Sequence, residues 1–160
     1  MPVIFTLPNA DTSGRTIIRM VKEFTARHAS SRVIENMGTQ DYFSFMSIAA
    51  AMVGNSSSGL VEAPSFHLPV VNIGTRQKGR IRGANVIDVG YERSAIMEGV
   101  RRAVSQEFKD RIKGEQNPYG SGNASETIVE TLKRVSLDAR LIVKRFFDMS
   151  LASISRPGDI

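Results

Sequence analysis

The sequence predicts an α/β fold built on a parallel sheet with helices covering both faces. Three observations carry that reading. Short β-branched runs alternate with stretches whose apolar residues recur at helical spacing. The chain has 160 residues, which suits one domain with one core. Its hydrophobic content of 41% is ordinary for a globular protein, and no apolar run reaches the length of a membrane span.

Each element can be justified in turn. Pro2 to Leu7 reads as a buried strand that ends at Pro8-Asn9. Asp11 to Ser13 can cap a helix, in which Ile17, Ile18, Val21 and Phe24 share a face through about His28. Arg32 to Asn36 is a short strand. Asp41 to Ala49 carries Tyr42, Phe45, Met46 and Ala49 on one helical face. Ala51 to Asn55 is a strand and Leu60 to Phe66 a short helix. Pro69 to Ile73 is another strand, with its proline where no ladder donor is lost. Asn85 to Val89 is a strand, and Ile96, Val100 and Val104 mark a helix from roughly Glu92 to Phe108. Residues Lys113 to Ser125 are rich in turn signals and read as a linker. A helix follows from Glu126, an amphipathic stretch runs from Leu137 to Phe147, and Ser153 to Ile160 read as a frayed tail.

Composition excludes several chemistries. The chain has no cysteine, so disulfides, thiol nucleophiles and thiolate metal sites are ruled out. Only two histidines are present, His28 and His67, too few for a His-rich metal site, and both read as surface or loop residues. The N-terminal run Val3-Ile4-Phe5 is quickly followed by polar residues, unlike a secretory signal, so a cytoplasmic protein is expected. Lys plus Arg number 21 against 16 Asp plus Glu, a net charge of +5. The densest basic cluster, Arg76, Lys78, Arg80 and Arg82, lies in a Gly-rich loop without interleaved aromatics. That favours a phosphorylated small molecule over a nucleic-acid track.

Gly54-Asn55-Ser56-Ser57-Ser58-Gly59 is the most informative segment. It joins a predicted strand to a predicted helix through small residues. Free backbone N–H groups, the helix dipole and three hydroxyls would suit a phosphate there. Glu62 lies one turn further on, where a carboxylate could accept hydrogen bonds from the vicinal hydroxyls of a ribose. The loop has neither the lysine of a P-loop nor the glycine spacing of a dinucleotide fingerprint, and its serines could equally serve only to cap the helix. Three loops follow predicted strands: Asn9-Ala10-Asp11, Gly54 to Gly59, and Gly74 to Arg82. In a parallel sheet they would gather on one rim, at the carboxyl ends of the strands.

Pro8-Asn9-Ala10-Asp11, Gly54 to Gly59, Asn72-Ile73-Gly74-Thr75-Arg76-Gln77-Lys78-Gly79-Arg80 and Asn117 to Ser125 occur in this order. In that combination the chain resembles the hydrolysing UDP-N-acetylglucosamine 2-epimerases, through about Asp148. Ala50 is a departure, because relatives often have Asp there. The resemblance implies one Rossmann-like domain over residues 1–149, like the C-terminal half of a two-domain GT-B-type epimerase, with 150–160 as a tail. It implies that Ser56 and Ser57 contact the diphosphate, with Arg76 as its cation. Glu62 would take the ribose hydroxyls, Asn9 would shape the cleft, and Asn36 to Tyr42 would contact the uracil.

The implied reaction loses UDP from C1 and a proton from C2 to give a glycal, then adds water to release N-acetylmannosamine. The family's acid–base carboxylates lie in its N-terminal half and a functional histidine just upstream of the matched region. The resemblance therefore implies no catalytic residue, no metal and no cofactor within this chain. The partners it implies are UDP or UDP-N-acetylglucosamine and an N-terminal epimerase half or domain. Assembly with further copies of the chain is compatible with it, and neither membrane nor nucleic acid is expected. The alternatives are a non-catalytic nucleotide-sugar-binding module, the donor-binding half of a GT-B glycosyltransferase and a basic RNA-binding domain.

Overall fold

The computed structural model describes residues 1–8 and 14–143. Two compact units divide the chain, the first spanning Met1–Tyr119 and the second beginning at Gly120. The expected helix cap at Asp11 to Ser13, the end of the stretch to Phe147 and the tail from 150 lie outside the described residues.

Among its described residues, the first unit has five strands, β1 Val3–Thr6, β2 Ser31–Ile34, β3 Met52–Gly54, β4 Val70–Ile73 and β5 Val86–Val89, joined by helical segments except between β4 and β5, where a Gly-rich loop connects them. They pair as two ladders, β1–β2 and β3–β4–β5, instead of one continuous sheet. Thr6 stands opposite Ile34 in the first, and Asn72 lies between Gly54 and Asp88 in the second. Strand β4 is the centre of the larger ladder, and Val70, Val71 and Asn72 are all buried. That continuous burial is what helices on both faces of a parallel strand require.

Two apolar clusters flank β4. On one side Val71 and Ile87 pack with Ala103, Phe108 and Ile112 from helices α4 (Arg93–Val104) and α5 (Gln106–Ile112). On the other, Val70 packs with Met46 of α2 (Gly38–Ile48), Ala63 and Leu68. The smaller ladder is less covered: Val3 and Ile4 are exposed, although Phe5 meets Phe24 of α1 (Gly14–Arg27) edge to face at 5.7 Å.

Two predicted helices are broken. The run from Glu92 to Phe108 divides at Ser105, whose ψ of 147° is extended. Its hydroxyl accepts the Phe108 N–H at 3.2 Å and starts α5. The run from Leu60 to Phe66 becomes α3 (Ser58–Val61) followed by a 3₁₀ turn, Ala63–Phe66. Pro64 explains the break, because it has no N–H for the Leu60 carbonyl and its ring would crowd that oxygen. The second unit contains α6 (Ala124–Arg134) and α7 (Ala139–Ile142). No described helix is long and apolar enough to cross a membrane.

Candidate functional site

Because β3 and β4 are parallel neighbours, the loops that leave them emerge on the same rim. The first runs from Gly54 through Asn55, Ser56 and Ser57 into α3. No backbone acceptor among the described residues takes the N–H of Ser56 or Ser57. The Ser57 side chain makes no capping bond, and the Ser56 hydroxyl accepts the Ser58 N–H at 3.3 Å. Capping is thus only part of what these serines offer. With four residues α3 has little dipole, so donors on the loop itself must carry any anion binding.

The second loop reaches across to the first. Arg76 Nη1 and Gln77 Nε2 both donate to the Asn55 carbonyl, at 3.1 and 2.7 Å. Gln77 is buried and its Oε1 has no partner, whereas Arg76 is exposed and its other donors meet no protein acceptor among the described residues. The basic cluster does not act as one unit. Arg82 turns inward, its Nε pairing with Asp88 Oδ2 at 2.8 Å and its Nη2 donating to the Gln77 carbonyl at 3.1 Å. Asp88 Oδ1 in turn accepts Asn72 Nδ2 at 2.7 Å. Arg82 therefore braces the loop, and Lys78 and Arg80 remain exposed. At the loop's start, the Thr75 hydroxyl and then its N–H hold the exposed Tyr91 phenol below the usual tyrosine range.

A cleft of about 490 Å³ opens beside these loops. One wall is the end of β1 with the β2–α2 connection and the first turns of α2; the other is Ser58 and Glu62. Glu62 is the hinge between α3 and the 3₁₀ turn, and its Oε2 is buried without a hydrogen-bond partner among the described residues. A carboxylate oxygen in that state has unused acceptor capacity, which a donor group on a ligand can fill.

Of the expected site residues, Ser56, Ser57 and Arg76 share the paired loops, Glu62 faces the cleft, and Asn9 lies outside the described residues. From the segment Asn36 to Tyr42, expected beside a base, Asn36 to Thr39 and Tyr42 line the same cleft as Glu62. Sequence reasoning missed Gln77 as the residue that fixes Asn55. It read Lys113 to Ser125 as a linker and used Asn117 to Ser125 only as a family motif, whereas Asn117 Nδ2 donates to the Val61 carbonyl at 2.8 Å and to Ser65 Oγ at 2.7 Å. The turn-forming Asn-Pro pair was visible, but nothing local signals an acceptor more than fifty residues away.

Comparison with known proteins places the fold and the family. A family model described as UDP-N-acetylglucosamine 2-epimerase matches residues 1–133. The chain is 37% identical over 146 residues to the polysialic acid biosynthesis protein P7 of Escherichia coli. It is 40% identical over 149 residues to the hydrolysing GDP/UDP-N,N'-diacetylbacillosamine 2-epimerase of Campylobacter jejuni. These alignments cover 91% and 92% of this chain but only 37% and 38% of those relatives. Among solved structures, UDP-GlcNAc 2-epimerase from Neisseria meningitidis, bound to UDP-GlcNAc, superposes with a TM-score of 0.64 at 25% identity, covering 84% of this chain and 37% of that one. The enzyme from Methanocaldococcus jannaschii shares the fold with a TM-score of 0.62 at 19% identity, over 82% and 36% of the two chains. The chain belongs to the UDP-N-acetylglucosamine 2-epimerase family and corresponds to the C-terminal part of its relatives.

Proposed function

We propose that this chain binds the UDP portion of a UDP-N-acetylhexosamine for hydrolytic 2-epimerisation. UDP would leave C1, a proton would leave C2, and water would add to the resulting glycal to release N-acetylmannosamine or a related sugar. The substrate class follows the relatives, whose names include epimerases acting on UDP-GlcNAc and on UDP-N,N'-diacetylbacillosamine. We assign the chain to the cytoplasm, where nucleotide sugars of this kind are expected to be available.

The observation that carries the reading is a Glu62 oxygen with no partner among the described residues, in a cleft also lined by Asn36 to Thr39 and Tyr42. A ribose would donate its vicinal hydroxyls to Glu62 while the base lies against the β2–α2 connection. The diphosphate would meet the Ser56 and Ser57 N–H groups and hydroxyls, with the free donors of Arg76 as its cation. Asn9 would shape the cleft from the end of β1. No metal or cofactor is needed for these contacts.

Calorimetric titration with UDP, UMP and deoxy-UDP tests the assignment. UDP should bind best. A charge-assisted hydrogen bond contributes roughly 1.5–3 kcal/mol, so Glu62→Gln should weaken UDP about tenfold or more and shrink its preference over the deoxy analogue. Arg76→Ala should mainly erase the advantage of UDP over UMP. If Glu62→Gln binds UDP as the parent does, the ribose assignment is wrong.

A further inference from the structure

We infer that Asn117 is a positioning residue that aims the Glu62 carboxylate at the ribose hydroxyls of the ligand; the inference rests on the UDP reading above. Glu62 sits where the chain changes from α-helix to 3₁₀ turn, and its backbone is bonded only within that short local segment. Its N–H bonds the Ser58 carbonyl at 3.1 Å and its carbonyl accepts the Ser65 N–H at 3.0 Å. The Asn117 carboxamide fastens both flanks. Its nitrogen donates to the carbonyl of Val61, the residue before Glu62, and to the hydroxyl of Ser65, the residue that caps the Glu62 carbonyl. One planar group with two N–H donors thereby fixes the turn on either side of the acid.

Asn117 is itself held. Its Oδ1 accepts the Tyr119 N–H at 2.8 Å, and the Tyr119 hydroxyl donates to the Ile81 carbonyl at 3.0 Å. A Cβ built on Gly83 would stand 3.5 Å from Pro64 Cγ and 3.6 Å from Pro118 Cδ, so Pro118 lies among the same segments. Asn117-Pro118-Tyr119 thus ties the Glu62 hinge to the Gly-rich basic loop. Loss of the two amide donors would free the hinge and let Glu62 swing, while leaving the phosphate-binding loop in place.

Asn117→Asp keeps an Oδ acceptor for Tyr119 and replaces the donating nitrogen with a carboxylate oxygen; because it also adds a negative charge, it is paired with Ser65→Ala, which adds none. In the full chain it should weaken UDP at least fivefold and deoxy-UDP less than twofold, by calorimetry. In a Glu62→Gln background the same change should cost UDP less than twofold, since the group it positions has already been altered. Ser65→Ala, at an exposed position, removes one acceptor and should reduce the UDP to deoxy-UDP ratio about twofold, even if Asn117→Asp is poorly folded. An unchanged ratio in both single variants overturns the inference, as does an equal loss with and without Glu62→Gln. If the parent itself does not discriminate UDP from deoxy-UDP, the ribose reading fails first and this inference falls with it.

Discussion

Glu35 and Glu62 line one cleft but have different partners. Glu35 Oε1 lies 2.6 Å from Lys22 Nζ, and that hydrogen bond, then the ammonium charge, holds its carboxyl below the usual range against a small opposing effect of burial. A depressed folded pKa contributes stability that is present above the unfolded value, about 4.3, and is lost as pH falls through the folded value. Both groups are exposed, so the effect on stability is minor and the titration is the better observable. We expect Lys22→Ala to raise the Glu35 carboxyl pKa, read by NMR. Identical titrations in the two proteins would show that the pair does not persist in solution. Among the described residues Glu62 has no such cation, which leaves it available to a neutral donor such as a hydroxyl. That difference was not legible in the sequence, because Lys22 and Glu35 are brought together by the pairing of β1 with β2 and the packing of α1.

At the scale of elements, α3 must seat closely on β4 for its loop and Glu62 to be placed. Gly59 is the point of contact: a Cβ there would stand 2.7 Å from Val70 Cγ1, a side chain packed in the core. Alanine would improve helix propensity by up to about 1 kcal/mol, but overpacking a core costs about 1–3 kcal/mol. Overpacking should win, because Val70 is stiff at χ1 and its strand is paired on both sides. Gly59→Ala should therefore lose about 1 kcal/mol in urea unfolding, and a variant as stable as its parent would mean that α3 rides loosely on the sheet. The alternation of strands and helices was legible from apolar spacing, and so was the shared rim of the Gly54 and Gly74 loops. The two broken helices also had local signals: Pro64 in one, and Ser105 ahead of an acidic first turn at Glu107 in the other. The division of the strands into two ladders had none, since it depends on pairings distant in sequence.

At the scale of the whole molecule, ligand binding and chemistry make different demands. Epimerisation at C2 needs a positioned base to remove a proton and a positioned acid to assist the leaving group or return a proton. The carboxylates that the described residues bring to the cleft are Glu35, paired with Lys22, and Glu62, assigned to the ribose. Neither histidine lines it. His28 stacks on Phe24 at 3.9 Å, and His67 ends the 3₁₀ turn with a φ of 47°. The chain spans about 37% of the relatives it matches, so most of their length lies outside the comparison. These observations lead us to expect that the 160-residue chain binds UDP but does not turn over UDP-N-acetylglucosamine. Homogeneous protein that titrates with UDP should release no free N-acetylhexosamine above a protein-free control. Release that persists in Glu62→Gln would mean that another group acts as base. Release abolished by that change while UDP affinity is retained would move Glu62 from ribose ligand to acid–base residue. The division between a nucleotide-holding part and a reacting part would then have to be redrawn around the 3₁₀ hinge.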